Sequence, residues 1–269
     1  MLEILKAIIL GIIQGITEWL PVSSTGHMIL VDQFLHLAGN KKFVDTFLVV
    51  IQFGSILAVI LLYFDKLNPF SSSKSEKAKR ATWDLWIKVL IAVIPSGVIG
   101  VLFEKKIDAV FFKPTVVAAA LVIYGVIMIW IESRHKRPII TKFSNLSYKT
   151  ALLIGVFQIL ALVPGTSRSG STIIGALLLG TSRFIAAEFS FFLAIPTMLG
   201  ASLLKLVKAG FAFSGFEWFI MFVGSLTAFV VSVVVIKFFM GYIKKHDFKA
   251  FGVYRIILGI IVFAFFLFS

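Results

Sequence analysis

The sequence predicts an all-α polytopic membrane protein, with six transmembrane helices plus two re-entrant helical hairpins arranged as an inverted-topology repeat. Three observations predict it. Of 269 residues, 59% are hydrophobic, only 14% are charged and 29 are Phe, and mean hydropathy is +1.01, far outside the composition of a soluble domain. Six apolar runs each approach the ~20 residues that a helix needs to cross a bilayer. Two further apolar segments break at a proline followed by a run of Ser, Thr and Gly.

In chain order, segment 2–20 stops at Pro21 and resumes after VSSTG as a short apolar piece, 25–38. Spans follow at 44–64, 86–103 and 114–131. Segment 150–163 stops at Pro164 and resumes at 171–181, before spans at 187–207, 216–240 and 251–268. Interrupted backbone cannot face lipid and is tolerated only when buried in protein or lining a wet cavity, so both broken segments read as re-entrant hairpins. The N-terminal stretch MLEILKAIILGIIQGITEWLP carries Glu3 and Glu18, has a weak basic start and lacks an A-x-A cleavage site, so it is expected to stay in the mature fold. Without Cys there are no disulfides and no thiolate metal sites.

The two hairpins are alike. GIIQGITEWLPVSSTG (11–26) and GVFQILALVPGTSRSG (155–170) share Gly, Gln three residues on, apolar residues, then Pro and a hydroxyl-rich turn, with one residue of slippage. Three spans follow each, so the chain divides into residues 1–145 and 146–269, two repeats of one integrated membrane domain. Repeats built on interrupted helices place a site where the halves meet. Loops 65–85 and 132–149 hold five Lys/Arg each and loop 241–250 three, against two, three and one in the remaining connections. The positive-inside rule makes the first set cytoplasmic, which puts the first hairpin on the outer side and the second on the cytoplasmic side. The net charge of +13 lies in these short loops, so nucleic acid is not an expected partner.

Ionisable groups at membrane depth are costly, which makes Glu18, His27, Arg168 and Glu188 candidates for function. Gln14 and Glu18 are four apart, hence on one helix face, and the turn brings Ser23, Ser24, Thr25 and His27 to the end of that helix. In the second hairpin, Arg168 sits among Thr166, Ser167, Ser169, Ser171 and Thr172, just before a helix. A guanidinium that forks two oxygens, with hydroxyls and free N–H groups beside it, suits a phosphate. If the tips meet, the acid–base pair Glu18 and His27 faces this clamp, which is equipment for phosphoryl transfer. Ser24 is the candidate nucleophile by position. Glu18 is also the candidate ligand for a divalent cation, Mg²⁺ or Ca²⁺, since one carboxylate plus substrate phosphate is a usual way to hold Mg²⁺. Structural readings stand beside these: Ser, Thr and Gln14 as hydrogen-bonding glue, Glu18, His27 and Arg168 as a buried ion pair, and Glu188 paired with Arg183 at the cytoplasmic boundary. His36, His135 and His246 lie in or beside loops and are expected to be solvated.

EWLPVSSTGH (18–27) together with LVPGTSRSG (162–170) resembles the bacterial undecaprenyl-diphosphate phosphatase family, the bacitracin-resistance integral membrane type. The similarity runs through FLVVIQFGSILAV (47–59) and SRFIAAEFSFFLAIP (182–196) and covers essentially the whole chain. The resemblance implies hydrolysis of undecaprenyl diphosphate to the monophosphate and phosphate, which recycles the cell-wall lipid carrier and confers bacitracin resistance. It also implies divalent-metal dependence and a multi-pass protein of the bacterial cytoplasmic membrane, with its active site open to the periplasmic face. The family's E/Q-xxx-E motif falls on Gln14 and Glu18, its histidine on His27, its proposed nucleophile on Ser24 and its arginine on Arg168, with Thr25, Thr166, Ser167 and Ser169 at the surrounding hydroxyl positions. Gln14 replaces the glutamate of other members, so the carboxylate chemistry of this arm rests on Glu18. The expected partners are a polyprenyl diphosphate lipid, membrane lipids and a second copy of the chain as a homodimer. A transporter or lipid-phosphate flippase is the alternative, since inverted repeats with broken helices also support alternating access. The acid-phosphatase-like SRx5Hx3D signature is absent, because Ile174 stands where its His would be.

Overall fold

Eleven helices are traced by the computed structural model over its described residues, 1–134 and 137–268, the side chains of Glu104 and Asp108 excepted. The expectation for His135 lies outside the described residues. The helices are α1 (Leu2–Thr17), α2 (Ser24–Asp32), α3 (Lys41–Leu62), α4 (Phe64–Leu67), α5 (Glu76–Phe111), α6 (Pro114–Ser133), α7 (Tyr148–Ile159), α8 (Arg168–Leu178), α9 (Arg183–Ala209), α10 (Gly215–Ile243) and α11 (Lys249–Phe268). Every one of the six apolar runs falls mainly within one of α3, α5, α6, α9, α10 and α11, and each of these helices is long and apolar enough to cross a membrane.

Local chemistry sets the boundaries. Asn40 Oδ1 accepts from Phe43 N at 2.8 Å to start α3, and Ser214 and Glu217 form a reciprocal capping box at the start of α10. Gly210, at φ +70°, ends α9 in the left-handed region. Helix α5 begins at Glu76 rather than near residue 86. Its first turns are polar and so invisible to hydropathy, yet Glu76–Lys79 and Asp84–Lys88 pairs support them as helix.

The bundle exterior is greasy: Leu61, Phe222 and Val234 are 57%, 61% and 64% exposed. Such faces would drive association in water, whereas lipid tails are as apolar as the side chains themselves. Association inside lipid therefore depends on close packing. Helix α1 lies on α10, α7 on α5, α6 on α11, and α3 against both α9 and α10. Glycine permits two of these approaches: a Cβ on Gly54 would lie 2.0 Å from Ser225 O, and one on Gly155 would lie 2.1 Å from Ala92 O. Gly155→Ala must push α7 off α5, with an expected loss of about 1–3 kcal/mol. It should lower the apparent thermal midpoint in detergent, while Gly200→Ala, where a Cβ meets nothing within 4 Å, should not.

The residues flanking each broken segment are in contact. Glu3 Oε2 accepts from Ala38 N at 2.7 Å and Lys6 Nζ donates to His36 O at 2.6 Å, closing the open end of α1 and α2. Around α7 and α8, Ile140 N donates to Gly180 O and Ser182 N to Ile140 O, at 3.0 and 2.8 Å. The helices that follow run antiparallel: the start of α3 meets the end of α9 at Asp45–Lys205, and α4, which directly follows the end of α3, meets the start of α9 at Lys66–Glu188.

Candidate active site

Helix α1 stops at Thr17, and Pro21 turns the chain into α2. Because Gln14 and Glu18 are one turn apart, Gln14 Nε2 donates to Glu18 Oε2 at 2.9 Å, with both side chains buried. Ser24 opens α2 and its Oγ donates to the same Oε2 at 3.2 Å. The second turn is built in the same way. A 3-10 turn (Leu160–Leu162) leads to Pro164 and Gly165, whose φ of +92° brings the backbone against Val117. Ser23 and Ser167 cap α2 and α8 alike, both at φ 73°, with Oγ accepting from Gly26 N at 3.3 Å and Gly170 N at 3.1 Å. Non-glycine residues held at positive φ are strained, and such strain gathers at functional turns.

The two turns meet through Arg168. Its Nη2 donates to Glu18 Oε1 at 3.0 Å, its Nη1 to Ser190 O at 2.8 Å and Ser190 Oγ at 3.3 Å, and its guanidinium lies 5.7 Å from the Trp19 ring. Its Nε is buried with no acceptor among the described residues. Ser169 Oγ reaches back to Glu18 O and Leu20 O, at 3.2 and 3.3 Å. The structure thus brings Gln14, Glu18, Ser24, Arg168 and Ser169 together. Ser23 and Ser167 spend their hydroxyls on caps, Thr166 is fully buried and uses its carbonyl, and Thr25 has no hydrogen-bond partner among the described residues. His27 is bonded to neither Glu18 nor Ser24: Nδ1 is 2.7 Å from Ser23 O and Nε2 is 2.6 Å from the Tyr254 hydroxyl.

Two residues of α11 were not anticipated from sequence. Tyr254 reaches His27, and fully buried Arg255 ties the turns together. Arg255 Nη1 donates to Pro21 O at 3.1 Å, and Nη2 to Gly165 O and Thr166 O at 3.0 and 2.9 Å. A signal was present, since an arginine interrupts the apolar run FGVYRIILG, but counting that run as an ordinary span hid it. The pairing expected for Glu188 is corrected. Glu188 takes Lys66 at 2.5 Å, whereas Arg183 forks Glu132, which also accepts from Phe248 N. These anchors stitch the Lys-rich ends of the spans. His36 and His246 are exposed, as expected.

With one carboxylate and two guanidiniums bonded into the turns, the site carries a net positive charge while His27 is neutral. It offers a carboxylate oxygen beside a serine hydroxyl, a forked cation, and the N-terminus of α8, a combination suited to an anion with a reacting phosphorus. No group of three His, Cys, Asp or Glu side chains among the described residues could hold a metal ion by itself.

The family model for the bacitracin resistance protein BacA matches residues 7–261. The chain is 71% identical over 266 residues to undecaprenyl-diphosphatase 1 of Clostridioides difficile, covering 99% of this chain and 97% of that one. It is 58% identical over 269 residues to the undecaprenyl-diphosphatase of Acetivibrio thermocellus, covering 99% of each, and 56% identical over 265 residues to that of Enterococcus faecalis, covering 97% and 96%. The motifs that meet at Glu18 and Arg168 lie inside the matched region, and the chain belongs to the BacA family of bacitracin resistance proteins.

Proposed function

We propose that the chain hydrolyses undecaprenyl diphosphate to undecaprenyl phosphate and inorganic phosphate, recycling the lipid carrier and conferring resistance to bacitracin. The observation that carries this reading is Glu18 held between Arg168 and Ser24, one oxygen for each, across 150 residues of sequence. In this reading Arg168 and the N-terminus of α8 grip the terminal phosphoryl group, and the tail lies in lipid between helices. Ser24 Oγ attacks the terminal phosphorus as its proton passes to Glu18, and the bond to the bridging oxygen breaks to release undecaprenyl phosphate. Water then attacks the phosphoserine, freeing phosphate and Ser24. His27, one turn from Ser24 on α2, is the second proton carrier, while Gln14 positions Glu18.

A divalent ion, Mg²⁺ or Ca²⁺, belongs to the reading as a companion of the diphosphate. The donor set fits only that form: Glu18 is the one carboxylate of the two turns among the described residues, and its oxygens are already engaged by Arg168, Gln14 and Ser24. Glu18, with the side-chain carbonyl of Gln14, would hold the ion, which would neutralise charge on the phosphoryl oxygens.

The site is proposed to open to the outer face of the cytoplasmic membrane, as the family resemblance implies, while the charge bias of the loops sets which side each hairpin enters from. Re-entrant hairpins in an inverted repeat complete the reading. They are supported by the matched caps Ser23 and Ser167, by the contacts that join the two ends of each broken segment, and by the antiparallel α3 and α9. The test is phosphate release from undecaprenyl and farnesyl diphosphate by purified protein in detergent, with and without chelator. Wild type should turn over and lose activity with chelator, while Ser24→Ala falls by about a thousandfold. Turnover by Ser24→Ala at the wild-type rate would overturn the serine's role, and no release from any prenyl diphosphate would overturn the activity.

A further inference from the structure

We infer that Tyr254 is a positioning residue for His27: its hydroxyl fixes the orientation of the imidazole and makes Nε2 the one ring nitrogen that gains or loses a proton. The inference rests on the reading of His27 as a proton carrier. Each nitrogen of that ring has a hydrogen-bond partner.

A backbone carbonyl only accepts, so the 2.7 Å contact with Ser23 O requires a hydrogen on Nδ1. In the neutral ring Nε2 is then bare, and the Tyr254 hydroxyl at 2.6 Å donates to it. The rings lie nearly parallel, at 10°, with centroids 5.6 Å apart. Both partners are themselves fixed. Ser23 is locked at positive φ by its own cap, which sets the direction of its carbonyl. Arg255, the next residue after Tyr254, is pinned to Pro21, Gly165 and Thr166, so that stretch of α11 cannot slide relative to the turns. Among the described residues, the charge of Arg255 acts on the imidazole.

Tyr254 is 45% exposed, so its hydroxyl links a half-buried nitrogen to the surroundings of the bundle. When His27 takes up a proton at Nε2, the hydrogen bond reverses. Nε2–H then donates to the tyrosine oxygen, and the tyrosine's own hydrogen turns outward by rotation about its C–O bond. A charge-assisted bond is stronger than a neutral one, so Tyr254 favours the protonated histidine. Phenylalanine at 254 withdraws that support and leaves the ring free to turn about its one remaining bond.

The experiment uses the full chain in detergent with farnesyl diphosphate, comparing wild type, Tyr254→Phe, His27→Gln and the double variant. Tyr254→Phe should lower kcat about tenfold with KM within about twofold, and move the histidine-dependent limb of the pH profile to lower pH. In the His27→Gln background the same change should cost nothing further. An unaltered pH limb, or full additivity in the double variant, overturns the inference. Nitrogen-15 spectra of histidine-labelled protein separate it from the reading beneath it. If His27→Gln is fully active yet His27 shows protonated Nδ1 with an accepting Nε2 that changes in Tyr254→Phe, the contact stands and the catalytic reading of His27 falls. If the spectra show the opposite tautomer, Tyr254 does not hold the ring.

Discussion

Arg168→Lys is expected to reduce kcat/KM for undecaprenyl diphosphate by about two to three orders of magnitude, although charge is conserved. The guanidinium serves Glu18 through Nη2 and Ser190 through Nη1 at the same time, and its buried Nε has no acceptor among the described residues. An ammonium on a flexible stem cannot make that fork, so it can hold Glu18 or a phosphoryl oxygen in place but not both. The loss should fall mainly on kcat, because contacts that tighten as charge develops on the phosphoryl group are those removed. Steady-state phosphate release checks it, and a variant within about threefold of wild type would contradict the assigned role.

The second large effect is structural. Arg255→Met should destabilise the protein by about 3–5 kcal/mol and abolish turnover together with it. Methionine nearly matches the volume and removes a buried cation that has no carboxylate partner among the described residues, which on its own would favour the variant. Against that, the carbonyls of Pro21, Gly165 and Thr166 lose their donor at once. Each buried orphan costs about 1–3 kcal/mol, and together they outweigh the gain. The two turns also lose the tie that holds them in one site. Thermal unfolding in detergent, run beside the activity assay, should show a lowered midpoint, and a variant with wild-type midpoint and rate would refute the tie.

Much of this was legible in sequence, and what escaped has physical causes. Length and hydropathy located α3, α5, α6, α9, α10 and α11, since a spanning helix must be long and apolar. Proline with hydroxyl-rich turns marked the ends of α1 and α7, and the shared Gly and Gln pattern paired them. The meeting of Glu18 and Arg168 followed from ionisable groups being costly in lipid unless paired. Which carboxylate takes which cation did not follow. Glu188 pairs with Lys66 of α4 although Arg183 is five residues away, because the antiparallel course of α3 and α9 decides the neighbours. The serines are similarly opaque, since a cap such as Ser167 and a group beside a base such as Ser24 look the same in a string of hydroxyls. Tyr254 and Arg255 stayed hidden within a run that otherwise reads as plain span.

Two segments some 140 residues apart act as one catalytic unit in this mechanism, and a double-mutant cycle between them measures that coupling. Glu18→Gln and Arg168→Gln, singly and together, are compared in kcat/KM for phosphate release from undecaprenyl diphosphate. Residues that act as a unit are strongly non-additive, so each single change should bring the rate near background and the double should be no worse than the poorer single. Losses that multiply in the double, or a single variant that retains full activity, would contradict a shared site.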